Sequence, residues 1–206
     1  MDERSCYFLG MSKGELTRQA IVDEATRVAS RVGLGGLTIG SLAADTGLSK
    51  SGLFAHFNSK ESLQLQVLEH ARSRFVDLVV RPALKVPRGE PRVRALFDNW
   101  LAWCAGLPGG CVFVAAASEL DDQPGPVRDQ VVANQRDWLE TVATVFRGGV
   151  SEGQFREDAD PEQFAQDLYG VILAYHHASR LLLDGRAEER SRRALDRLLD
   201  DAREPD

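Results

Sequence analysis

Residues 47–63 read GLSKSGLFAHFNSKESL, which gathers two serine–lysine pairs, a histidine and two phenylalanines into one short stretch. Hydroxyls donate and accept hydrogen bonds, lysines carry fixed positive charge, and an aromatic ring offers an apolar edge. A surface of that kind suits a polyanion whose backbone attracts cations and donors. Two other sets of chemically capable side chains stand apart from it. His176 and His177 are adjacent, so on a helix they point about 100° apart and do not share one ion. Cys104 and Cys111 lie across a Gly/Pro break and, with Cys6, make an odd count without metal-ligand spacing. The thiols therefore read as reduced and mostly buried. No metal site and no cofactor is expected. No nucleophile–base pairing and no phosphate-cradling glycine loop is visible, which argues against an enzyme.

The side chains of residues 47–63 need short, capped helices to present them. Upstream, Ile21, Ala25, Val28 and Val32 recur with helical spacing, giving one apolar face over residues 15–32, and GLGG ends that helix. Thr38 is an N-cap for a second, short helix in which Ile39, Leu42 and Ala43 share a face. Gly47 supplies the positive φ that turns the chain out of it. Ser49 caps a third helix with Leu53 and Phe57 pointing inward together. Ser59 caps a long fourth helix that Pro82 stops. Two short helices joined by a glycine turn, with A-x-x-x-G-L-S over Ala43–Ser49, match a helix-turn-helix. Ala43 is small where the helices cross, Leu48 fills the space beneath the turn, and Ser49 leaves the next helix N-terminus facing outward, suited to phosphate.

Further helices are read at about 91–105, over CVFVAAASELD, at about 127–150, 161–183 and 188–202, with no strand pattern, internal repeat or low-complexity tract. The fold class is all-α, with about nine helices. The formal charge of the 206 residues is −6, which taken as a total opposes a nucleic-acid partner. Its distribution removes the conflict: residues 11–75 hold 8 Lys/Arg against 6 Asp/Glu, and residues 76–206 hold 16 against 23. A basic front and an acidic back fit a partner that touches one end. No apolar run is long enough for a bilayer, and MDERSCYFLGMSKGEL does not read as a secretory signal, so a cytoplasmic protein without a membrane partner is expected.

Residues 15–63 resemble the DNA-binding domain of TetR-family transcriptional repressors (TetR/AcrR type). The resemblance rests on Thr38, Leu42-Ala43, Gly47, Ser49-Lys50, Leu53-Phe54, His56-Phe57 and Ser59-Lys60-Glu61-Ser62-Leu63. It implies a three-helix helix-turn-helix domain over 15–60 behind an N-terminal extension, 1–14. An effector-binding and dimerisation domain would follow over 61–206, entered through a connector helix, 61–81. DNA contact is implied for Thr38, Ser49, Lys50, Ser51, Gly52, Phe54, His56 and Lys60. Phe54 departs from the family's usual Tyr, which removes one phosphate hydrogen bond and substitutes apolar contact with a thymine methyl.

The resemblance also implies a small-molecule pocket, for which Trp100, Trp103, Phe113, Trp138, Tyr169 and His176 are the candidate lining. The last two helices would supply a homodimer interface through Leu168, Ile172, Tyr175, Ser179, Leu182, Leu195, Leu198 and Leu199. The implied partners are double-stranded DNA carrying an inverted repeat, a second copy of the chain and an unidentified effector. The implied activity is that of a homodimeric repressor released from its operator by that effector. Two rivals share parts of this reading: a ligand-independent structural or nucleoid/division-site DNA binder with a filled second domain, and an all-α enzyme whose front half only resembles a DNA reader.

Overall fold

The computed structural model describes residues 13–203, so the N-terminal extension and Cys6 lie largely or wholly outside the described residues. Ten α-helical segments follow in order: α1 Lys13–Gly36, α2 Ile39–Thr46, α3 Lys50–Phe57, α4 Lys60–Phe75, α5 Arg81–Leu84, α6 Glu90–Ala105, α7 Val112–Glu119, α8 Pro126–Ser151, α9 Pro161–His176 and α10 Ala187–Ala202. A π turn over Val76–Val80 fuses α4 to α5 into one rod, and another over His177–Leu181 extends α9. Counted as rods, the described residues form nine. No strand occurs among them.

Sequence explains the boundaries. Gly33, at φ 76°, breaks the helical path of α1 just where the GLGG stretch begins. Thr38 and Ser41 form a reciprocal capping box at the start of α2. Ser49 Oγ accepts from Gly52 N at 3.1 Å, and Ser59 Oγ accepts from Ser62 N at 3.0 Å, which satisfies amides that the first turns of α3 and α4 leave free.

Pro82 does not stop the fourth helix. It lacks an N–H for the Leu78 carbonyl, and its ring crowds that carbonyl. The backbone widens by one residue instead, Arg81 N donating to Val76 O, and the rod continues to Leu84. Asn99 Nδ2 from α6 takes the Val79 carbonyl at 3.0 Å, so the irregular turn is held from outside.

Two apolar clusters organise the chain. The rear one unites α6, α8, α9 and α10 around Phe97, Trp100, Phe146 and Leu168. The front one unites α1 to α4, but Val112, Ala116 and Leu120 from α7 and Val127 and Val131 from α8 complete it. The three-helix unit is therefore closed by the domain behind it. Polar contacts reinforce that closure. The Glu119 carboxylate at the end of α7 accepts from Leu34 N at 2.7 Å and also from Gly35 N. Gly109 N donates to Ser30 Oγ at 3.1 Å, and Gln64 Nε2 donates to Leu34 O at 2.6 Å. Between α1 and α4, Gln19 Nε2 lies 2.8 Å from His70 Nδ1, which leaves the Nε2–H to donate to Asp23 Oδ1 at 2.6 Å.

Candidate nucleic-acid interface and regulatory cavity

α2 and α3 meet across Gly47, which adopts φ 68° and ψ 10°, the left-handed region that a Cβ disfavours. Its N–H donates to Ala43 O at 3.0 Å, closing α2, and two residues later Ser49 starts α3. Leu42, Ala43, Leu53 and Phe57 are buried, which fixes the rotation of both helices on the front core. The opposite face of α3 is therefore outward. Ser49, Lys50, Ser51, Gly52, Phe54 and Lys60 are exposed, and His56 is half-buried beside Phe57. Phe54 exposes 56% of its surface although Leu53 and Phe57 already fill the core side, so packing gives no reason for a phenylalanine there.

One sequence expectation changes. Leu48 does not fill a space under the turn: it remains 41% exposed, because Gly47 swings it outward. Lys60 stays exposed at the start of α4, and its Nζ donates to Gly35 O, tying α4 to the end of α1.

Behind this unit a cavity of about 390 Å³ opens between the fused α4 rod and α6 to α9. Its walls include Phe75, Trp100, Phe113, Trp138 and Tyr169, with Val76 and Val80 of the π turn. Phe75 is the hub, meeting Trp103, Phe113 and Trp138 edge-on with ring centroids 5.2–5.7 Å apart. Such T-shaped geometry sets the electropositive ring edge against a π face. Arg72 of α4 and Asp137 of α8, 3.1 Å apart, form an ion pair among the lining residues.

Four of the six expected lining residues, Trp100, Phe113, Trp138 and Tyr169, reach the cavity. Trp103 and His176 do not. Trp103 packs behind Phe75 instead, and His176 lies toward Gly110 and Arg180. Burial, and then the Arg180 charge, depress the His176 pKa, and its Nε2 is buried without a partner. Residues that periodicity did not single out supply the polar lining: Asn134, Gln135, Thr141 and Cys111. Gln130 Nε2 donates to Asn134 Oδ1 at 3.1 Å, whereas Asn134 Nδ2 is buried without any acceptor.

The expected dimer residues divide. Leu168, Ile172, Leu195 and Leu199 are at most 3% exposed within the single chain, so they have no surface left for a partner. The apolar stripe on these helices faces the chain's own core. Tyr175 packs edge-on against Trp100 at 5.3 Å, Ser179 Oγ bonds His176 O at 3.4 Å, and Leu198 is packed on the rear cluster. Leu182 alone of the set is largely exposed. It stands with Leu173, Leu181 and Leu183, all outward, at the far end of α9.

Comparison with known proteins decides the kinship. A family described as the tetracyclin repressor-like C-terminal domain matches residues 89–195, more than half of the chain, and the bacterial regulatory proteins of the tetR family match residues 21–67. The chain belongs to the TetR family of transcriptional regulators. It is 28% identical over 163 residues to the HTH-type transcriptional repressor DhaR of Mycobacterium sp. (strain GP1), covering 76% of this chain and 80% of that one. Among solved structures, a TetR-family regulator from Cytophaga hutchinsonii superposes with a TM-score of 0.83 at 18% identity, over 95% of this chain and 99% of that chain. One from Chloroflexus aurantiacus gives 0.75 at 26% identity, over 92% and 96%. AibR, solved with isovaleryl coenzyme A and operator DNA, gives 0.69 at 20% identity, over 92% and 99%. No helix among the described residues of this TetR-family chain is long and apolar enough to cross a membrane.

Proposed function

We propose that the chain is a homodimeric transcriptional repressor that binds an inverted-repeat operator and is released when a small molecule occupies the cavity behind Phe75. The observation that carries this reading is the outward tip of α3, where Ser49, Lys50, Ser51 and a core-redundant Phe54 stand exposed. Lys50 and the helix N-terminus attract phosphate, and Phe54 and His56 meet base edges. One short helix reads too few base pairs, so two copies would read successive major grooves about 34 Å apart. The exposed leucines at the end of α9 supply an apolar surface for that pairing.

Release requires that the effector bind the two states unequally. The fused α4 rod is the natural transmitter. It begins at Lys60, tied to the end of α1, and reaches Val76 and Val80 in the cavity wall, roughly 24 Å further along at 1.5 Å per residue. The π turn is a local fault in the helix ladder and its Val76 and Val80 stand in the cavity wall, so a ligand there presses directly on the rod. The cavity counts against a filled, ligand-independent second domain.

The test is a mobility shift with DNA from upstream of the chain's own gene, titrated with salt, followed by a metabolite panel. Binding whose salt dependence weakens in Lys50→Ala, and which one compound abolishes, supports the reading. Unchanged mobility with every promoter fragment would sink it.

A further inference from the structure

Residues 33–36 end α1 and lead into the reading helices, with only Leu37 before Thr38, the N-cap of α2. Three of the four are glycine, and Gly33, at φ 76°, takes the stretch off the helical path. The direction in which α2 and α3 leave α1 therefore depends on a backbone segment with unusual conformational freedom. Leu42, Leu53 and Phe57 seat the two helices on the front core, but apolar burial is non-directional and leaves the fine angle to hydrogen bonds.

Those bonds grip the link from two sides. Glu119, at the end of α7, accepts from Leu34 N at 2.7 Å through one carboxylate oxygen and from Gly35 N through the other. From α4, Gln64 Nε2 donates to Leu34 O at 2.6 Å, and Lys60 Nζ donates to Gly35 O. Ser41 of α2 closes the far end, its Oγ donating to Gly36 O at 3.3 Å. The glycines form the seat of the carboxylate. A Cβ on Gly33 would lie 2.7 Å from Glu119 Oε2, and one on Gly35 would lie closer still to Oε1. The nearest atoms at both positions all belong to that carboxyl group. The GLGG stretch thus does more than end a helix: it admits an acidic side chain from 84 residues away.

We propose that Glu119 is a positioning residue for operator binding: its carboxylate, seated in the glycine cradle, holds the link in the geometry that presents α3 to the major groove. A recognition helix must enter the groove at a set angle, and two copies must agree in that angle to fit successive grooves. An angular error at the link is enlarged at the far tip of α3. This role rests on the reading of α3 as the DNA-contacting element, and Glu119 itself touches no DNA.

Charge makes the expected sign distinctive. Glu119 is an anion in a protein whose partner is a polyanion, so by long-range electrostatics alone its neutralisation would tighten operator binding. A positioning role demands the opposite. Without the charge-assisted pair of bonds, fewer chains hold the link in the presenting geometry, and the apparent affinity falls by that fraction. The phosphate contacts made once the protein is bound are the same, so the salt dependence is unchanged.

The test titrates full-length protein against a labelled DNA fragment from upstream of its own gene at several salt concentrations, with helicity matched by circular dichroism. Glu119→Gln should weaken binding about tenfold with an unchanged salt slope. Asp122→Asn, which removes an exposed carboxylate from the turn after α7, should not weaken it. Lys50→Ala should weaken binding and lower the slope by about one. Gly35→Ala, which pushes the carboxylate off its seat, should weaken binding in the wild-type chain and cost nothing further in Glu119→Ala. Glu90→Gln, whose carboxylate pairs with Arg94 and Arg203 away from the link, should bind as wild type and so separates positioning from loss of stability. Equal or tighter binding by Glu119→Gln, with Lys50→Ala still weakened, would overturn the role of Glu119 and leave α3 as the reading helix. A matching loss in Glu90→Gln, or a Gly35→Ala cost undiminished in Glu119→Ala, would overturn it as well. No loss in Lys50→Ala would overturn the reading of α3 itself.

Discussion

Replacing Gly109 with alanine tests how tightly the front unit is bound to the domain behind it. The loop before α7 crosses the back of α1 so closely that a Cβ on Gly109 would lie 2.5 Å from the Arg31 nitrogen and closer still to the Ser30 carbonyl. These neighbours are backbone, so no side chain can swing aside. The nearest atom, the Ser30 carbonyl oxygen, would be 1.5 Å away, so the crossing must open by about 1.9 Å to reach ordinary contact distance. Opening it also stretches the 3.1 Å bond from Gly109 N to Ser30 Oγ. Overpacking of this kind costs about 1–3 kcal/mol and the lost bond about 1 kcal/mol more, so Gly109→Ala should destabilise by about 3 kcal/mol. For a chain of this size that lowers Tm by about 6–12 °C. Gly148, in the helical interior of α8 with nothing near its missing Cβ, is the control. Gly148→Ala should stabilise by about 0.5–1 kcal/mol, through helix propensity alone. Urea unfolding followed by circular dichroism reads both. A Gly109→Ala cost below about 1 kcal/mol would refute the close crossing.

Glu119→Gln keeps the shape of the strut between α7 and the end of α1 but removes its charge. It should cost about 1–2 kcal/mol and speed amide hydrogen exchange at Leu34 and Gly35, which mass spectrometry of the intact chain would detect. Hydrogen bonds from Arg203 and then Arg94, against partial burial, hold the Glu90 carboxyl below its ordinary range. A depressed carboxylate stabilises above its unfolded pKa, and that contribution is lost as pH falls through the folded value. After discounting for the exposed arginines, Glu90→Gln should cost about 1 kcal/mol at neutral pH, and the difference should vanish in acid-titrated denaturation curves. Leu182→Arg places a charge among the exposed leucines, so sedimentation should show a shift toward monomer with helical content intact; an unaltered dimer would remove that face from the interface.

The DNA-facing half was legible because its signals are local. Thr38, Ser49 and Ser59 are caps three residues from the amides they serve, and Gly47 announces a left-handed turn by its type. The rear half depends on distances that no local pattern encodes. The stripe of Leu168, Ile172, Leu195 and Leu199 has correct helical spacing, but spacing cannot tell a chain's own core from a partner's surface. Trp100 and Trp103, three residues apart, both point inward, and only depth separates the cavity wall from the layer behind it. Cys104 meets Cys111 because a glycine-rich loop folds back on itself. Glu119 caps Leu34 across 85 residues. Pro82 signalled a break, and the fold answered with a π turn because Asn99 could take up a carbonyl there.

The most direct test of an outward-facing α3 is a nuclease footprint on a bound upstream fragment, comparing the wild type with a Lys50→Ala/Phe54→Ala variant of matched helicity. Two protected stretches related by a dyad, with centres about one helical turn apart or a multiple of it, and both lost in the variant, are predicted. Equal protection by wild type and variant would contradict the reading of this helix as the DNA-contacting element.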